Sequence, residues 1–74
     1  MRDYYYGVLF YNEESDRIDV QYDNGTTEGG LHCGQTLEVF VNGKWEPTRI
    51  EMSDDWYLVG IKGLDSLDSQ RVRL

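Results

Sequence analysis

Asn42-Gly43 lies between two runs that alternate apolar and polar side chains, Gln35–Val41 and Lys44–Met52. Both residue types tolerate positive φ, which suits the twist of the strands they join, so the pair predicts a tight antiparallel hairpin. A two-residue turn also fixes the register. Val41 then opposes Lys44, Phe40 opposes Trp45, Val39 opposes Glu46, Glu38 opposes Pro47 and Leu37 opposes Thr48. Alternation puts Leu37, Val39, Thr48, Ile50 and Met52 on one face, which must be the core, and Phe40, Trp45, Pro47 and Arg49 on the other with Glu38 and Glu51. An outward Phe–Trp pair among charges has the character of a protein-binding patch. Phe40, Trp45, Pro47 and Arg49 are therefore the candidate binding residues. The competing expectation is that the N-terminal tyrosines or a loop fold over the pair as a satellite cluster.

The same period of two recurs along the 74 residues, and no segment keeps a helical period over a useful length. Tyr4–Tyr11 predicts a first strand that is apolar on both faces, either buried on two sides or carrying an aromatic surface. After the turn Asn12–Asp16, Arg17–Tyr22 alternates with Ile18, Val20 and Tyr22 inward and Arg17, Asp19 and Gln21 outward. Asp23–Gly34 reads as a surface loop, Trp56–Ile61 as another strand, Gly63–Ser69 as a 3₁₀ turn, and Arg71–Leu74 as a last strand with Val72 and Leu74 inward. The expectation is one all-β domain spanning residues 1–74, a small SH3-like barrel of five to six short antiparallel strands with a 3₁₀ turn before the last. An unpaired aromatic first strand also offers a route to a homodimer.

A chain this short buries only about 60% of its unfolded surface, so its aromatics (14% of residues) must supply much of the core. One cysteine and one histidine exclude an intramolecular disulfide and a four-ligand zinc site built from Cys and His. No metal or cofactor is expected. The opening Met1–Tyr11 has neither the cleavage site of a signal peptide nor an apolar run long enough for a bilayer. With a single free thiol, that predicts a cytoplasmic protein without a membrane partner, in which Asn24-Gly25-Thr26 is a turn and not a glycosylation site.

Seven basic residues face 14 acidic ones, a net charge of −7. That sign repels phosphates and anionic membranes, which argues against direct nucleic-acid binding even with Arg49, Arg71 and Arg73 as a local basic stripe. It suits solubility, a basic partner, or imitation of nucleic acid. The acidic clusters Glu13-Glu14, Asp54-Asp55 and Asp65 with Asp68 lack the ligand alternation of a calcium loop and read as solvated turns.

His32-Cys33 is the one pairing that hints at catalysis. Adjacent side chains on an extended chain diverge, and an acidic surround raises a thiol's pKa, so the pair is not expected to act as nucleophile and base. Leu31 and Cys33 are expected to tuck inward, with His32 facing solvent or the loop backbone. The surrounding glycines lack the Lys and Ser/Thr of a phosphate loop. No enzyme activity is expected.

Leu31-His32-Cys33-Gly34, Asn42-Gly43, Trp45, Pro47–Glu51, Trp56-Tyr57-Leu58 and the closing Arg71–Leu74 resemble a family of short bacterial domains of unknown function. That family occurs mainly in clostridia and related Gram-positive bacteria, often on mobile elements. The resemblance runs from Leu31 onward; the N-terminal third is similar in its tyrosine-rich character. It implies a small cytoplasmic β-barrel and brings no activity or cofactor. Two functions follow as expectations: a non-enzymatic protein-binding module, or an acidic, nucleic-acid-mimicking inhibitor of the anti-CRISPR kind encoded on a mobile element.

Overall fold

The computed structural model describes residues 3–64 and 66–74. Seven strands follow one another: β1 (Tyr6–Asn12), β2 (Arg17–Tyr22), β3 (Thr27–Glu28), β4 (Thr36–Val41), β5 (Lys44–Met52), β6 (Trp56–Leu58) and β7 (Arg71–Arg73). All pairings are antiparallel, in the order β3-β2-β1-β7-β4-β5-β6. The all-β expectation holds. The barrel does not: the sheet is open, with β3 and β6 as its two ends, and it has seven strands where five to six were expected. The additional strand is β3, which pairs Thr27 and Glu28 with Gln21 and Val20 inside the stretch expected to be irregular. Before β7 there is a single turn closed by Gln70 N–H to the Leu67 carbonyl, without a 3₁₀ helix among the described residues. Asp65, paired with Asp68 in the sequence, lies outside the described residues.

The β4–β5 hairpin has the predicted register, with Phe40 opposite Trp45 and Glu38 opposite Pro47. Its turn places Asn42 at φ 52° and Gly43 at φ 79°, the left-handed values that this pair accepts at low cost. One face of the sheet carries the core. Leu9, Ile18 and Val20 come from the N-terminal hairpin, Leu37, Val39 and Ile50 from β4 and β5, and Leu58 and Val72 from β6 and β7. Leu31 joins them from the loop after β3, its N–H bonded to the Ile18 carbonyl. Thr48 is half-buried on the same side, whereas Met52, expected inward, is exposed because it lies past the end of the packed region, opposite Trp56.

The first strand resolves as a one-sided element. Leu9 is fully buried, and Tyr4, Tyr6, Val8 and Phe10 face the other way, so the aromatic-surface alternative is the one realised. β1 is also interior to the sheet, flanked by β2 and β7, and has no free edge for pairing with a second copy. A second correction concerns Asp19. Expected outward and solvated, it is 3% exposed because the Gly29-Gly30 segment folds across it: the Gly30 N–H and the Asn12 side-chain amide both donate to its carboxylate. A buried carboxylate is tolerable when its oxygens are bonded in this way.

Gly7 has a packing reason to be glycine. A Cβ there would stand 2.4 Å from the Gln21 carbonyl oxygen in the neighbouring strand. Gly7→Ala is expected to force β1 and β2 apart and destabilise by about 1–3 kcal/mol, read as a lowered urea midpoint with an unchanged m-value. At the β3 end, Tyr22 donates its hydroxyl to Glu28, and burial together with that bond pushes its phenol up to about 12. A raised folded-state pKa contributes stability below the ordinary tyrosine value, about 10, that is lost as pH rises toward 12. Urea midpoints are therefore expected to fall over that alkaline interval, and by less in Tyr22→Phe.

Candidate functional site

The outward face of the sheet is organised by register. Tyr6 on β1 pairs with Arg73 on β7, Arg73 pairs with Glu38 on β4, and Glu38 pairs with Pro47 on β5, so one row of side chains crosses four strands. Arg73 is the hub. Its Nε and Nη2 both donate to Glu38 Oε1, at 2.9 and 2.6 Å. Its guanidinium lies 4.0 Å from the centre of the Tyr4 ring and 4.4 Å from that of Trp45. Tyr4 closes the circuit by donating its hydroxyl to Glu38 Oε2 at 3.0 Å. A planar cation can do this because its faces stack on rings while its edge donates hydrogen bonds.

The rings extend the cluster edge to face. Tyr4 meets Tyr6 at 6.2 Å, Tyr6 meets Trp45 at 5.6 Å, and Trp45 meets Phe40 at 5.2 Å, with interplanar angles of 61° to 65°. These are the offsets that aromatic quadrupoles favour. Trp45 is half-buried by its neighbours, while Phe40 stays 42% exposed and Tyr6 38% exposed. The tyrosines thus pack against Trp45 without sealing the patch.

Of the residues singled out in the sequence, Phe40 and Trp45 stand together, and Pro47 is exposed on the same face, bordering a shallow depression with Tyr4 and Arg73. Arg49 is drawn aside, its Nε donating to Glu51 at 3.0 Å. Tyr4, Tyr6, Glu38 and Arg73 belong to the cluster as well. The alternation of Arg71–Leu74 signals that Arg73 faces outward, but not which rings it meets.

Among the described residues the arginines of this face are all matched by acids: Arg73 by Glu38, Arg71 by Asp23 and Arg49 by Glu51. The Arg71 hydrogen bonds hold the Asp23 carboxyl below the usual carboxylate range. The basic stripe considered from sequence is therefore neutralised, leaving an aromatic patch within paired charges.

His32 and Cys33 sit elsewhere. Gln35 N–H closes a turn onto the His32 carbonyl, and Gly34, at φ 86°, supplies the left-handed third position that a type II turn requires. Leu31 is buried as expected, but Cys33 is exposed, because the turn lifts it off the core. The His32 ring lies by Arg17, whose guanidinium donates to the Leu31 carbonyl at 2.6 Å and so pins the glycine-rich loop to β2.

A second concavity, which no sequence motif announced, lies at one end of the sheet. It is a cleft of about 470 Å³ between β6, the β1–β2 turn and the segment before β7. Ile61, Leu64 and Leu67, apolar at every third position, are half-buried against the core there and give its only sequence signal. Tyr11 donates its hydroxyl to Asp16 at the rim. That bond, burial, and the charges of Asp16, Glu13 and Asp55 raise the Tyr11 phenol's pKa, a mark of negative potential at this end.

Arg73→Lys retains the charge but loses the planar fork and the stacked face. The expected result is a thermal midpoint lower by several degrees and, in a Trp56→Phe background that isolates Trp45, a red-shifted emission. An unchanged spectrum would mean that the guanidinium does not shield the indole.

Comparisons with known proteins agree with this architecture. A crystal structure of a protein from Ruminococcus gnavus is 49% identical and superposes with a TM-score of 0.84, over 93% of this chain and 99% of that one. No curated protein matches the chain. A family described as a domain of unknown function (DUF5348) matches residues 7–74, so the kinship seen from Leu31 onward reaches back through the N-terminal hairpin. The chain belongs to that family.

Proposed function

We propose that this protein is a non-enzymatic binding module, SH3-like in its use of an aromatic sheet face, that engages a protein partner in the bacterial cytoplasm through Phe40, Trp45 and Pro47, with Arg49 at the margin. The observation that carries the reading is the Phe40–Trp45 pair, with Phe40 exposed and Trp45 half-buried, held in one geometry by the Arg73 stack and the β4–β5 hairpin. Trp, Tyr and Arg dominate binding hot spots because they bring large contact area that is already ordered. Local charge pairing favours a protein over a nucleic acid, since Arg49, Arg71 and Arg73 each already hold a carboxylate.

The alternative, an acidic inhibitor imitating nucleic acid, needs unpaired carboxylates spaced regularly across a face. It has less support, because Asp23, Glu38 and Glu51 each face a cation on the outer sheet surface.

Affinity capture from the source bacterium tests the proposal. Phe40→Ala and Trp45→Ala, each verified as folded by circular dichroism, are expected to lose a protein that the wild type retains, while Tyr57→Ala retains it. Equal recovery by all four proteins would refute the assignment of this patch.

A further inference from the structure

The coiling of the sheet brings β6 back toward the β1–β2 turn, where the Trp56 indole N–H donates to the Asp16 carbonyl at 3.2 Å. No ladder joins β6 to another strand on that side, so the cleft occupies the gap where a further strand would lie. The ladder between β6 and β5 shows which backbone groups face the gap. Val59 N–H donates to the Arg49 carbonyl, and Ser53 N–H donates to the Asp55 carbonyl. Odd-numbered residues therefore bond to β5, and alternation turns the backbone groups of Trp56 and Leu58 to the opposite edge. The Trp56 N–H is capped by the Asp55 side chain and the Leu58 carbonyl by Ile61 N–H. Among the described residues the Trp56 carbonyl and the Leu58 N–H have no hydrogen-bond partner, an acceptor and a donor two residues apart on the edge toward the gap, as an added strand would engage them.

The walls specify what such a strand would carry. Half-buried Leu64 and Leu67 supply the accessible apolar surface of the floor, over the buried Ile18 and Leu58. The rim carries Asp16, Asp55 and Asp68, from three different turns. Unlike the acids of the outer face, these three enter none of the four ion pairs. Asp55 and Asp68 accept backbone N–H groups, from Trp56 and Tyr11, and Asp16 accepts the Tyr11 hydroxyl. Uncompensated carboxylates around a desolvating floor are complementary to Lys or Arg alternating with apolar residues, since an extended chain sends successive side chains to opposite sides.

We propose that this cleft docks an extended basic segment of a partner protein, which adds to the free edge of β6 with its apolar side chains on the floor and its cations on Asp16, Asp55 and Asp68. The site shares no residue with the Phe40–Trp45 patch and does not depend on that patch being functional.

The probe is a fluorescein-labelled alternating Lys-Val peptide, followed by anisotropy and by amide shifts in nitrogen-15 spectra. Saturable one-to-one binding is expected, with the largest shifts at Trp56, Tyr57 and Leu58. Asp55→Asn and Asp68→Asn keep the oxygen that accepts the backbone N–H, so both are expected to fold and to weaken binding about two- to fivefold each. The amide signals of Phe40 and Trp45 are expected to stay unmoved, and methylation of alternate peptide nitrogens is expected to abolish binding. Absence of binding overturns the proposal. So does equal binding by the methylated peptide or by both Asn variants, which would indicate diffuse charge attraction, and so do largest shifts at Phe40 and Trp45, which would move the peptide to the aromatic face.

Discussion

Three residues at the C-terminus join the sheet. Arg71–Arg73 pairs with β1 on one side and β4 on the other, linking the β3-β2-β1 half of the sheet to the β4-β5-β6 half. Val72 is fully buried between Gly7 and Val39, and Arg73 ties the opposite face together through Glu38, Tyr4 and Trp45. β7 thus acts on both sides of the sheet at once. The apolar contact excludes water below, while the guanidinium, too large and too charged to bury unpaired, finds its carboxylate and two ring faces above. Without this strand the two halves would be separate three-stranded sheets, each with an open edge where β7 now lies.

The protein's charge is unevenly divided. On the outer face Arg49, Arg71 and Arg73 are each matched, and the aromatic cluster lies among paired charges. The excess of acids appears instead in the turns at one end, around the cleft. A net charge of −7 spread evenly would weaken contacts everywhere; segregated, it leaves one surface suited to apolar contact and another to cations. The two surfaces have different physical selectivity, the first insensitive to salt and the second screened by it.

What the sequence made legible was local. The β4–β5 hairpin follows from a two-residue turn and strict alternation, and its register and buried face follow with it. β2 and β7 are read the same way, from Ile18, Val20 and Val72. What was illegible depends on distant partners. Asp19 looks like a solvent residue until the Gly29-Gly30 segment supplies the N–H that makes its burial tolerable. Cys33 looks like a buried hydrophobe until the turn at Gly34 carries it outward. Arg73 is visibly an outward residue, but its pairing with Glu38 spans 35 positions, and no local period encodes which strand will lie alongside. The cleft is hidden for the same reason, because its walls come from three turns that meet only when the sheet coils.

This division between local and distant determination bears on when the aromatic surface exists. Phe40 and Trp45 are brought together by a two-residue turn, an inexpensive closure that can form early. Tyr4, Tyr6 and Arg73 arrive from the two ends of the chain, and their positions are fixed only when β7 slots between β1 and β4. Those late arrivals hold Trp45 in a single orientation, with Tyr6 against its ring and the guanidinium over it. Before that closure the hairpin presents a mobile pair of rings; after it, an ordered surface whose side-chain entropy has already been lost to folding. The surface that is ready to bind is therefore a property of the completed sheet, although its most exposed ring, Phe40, belongs to its most local element.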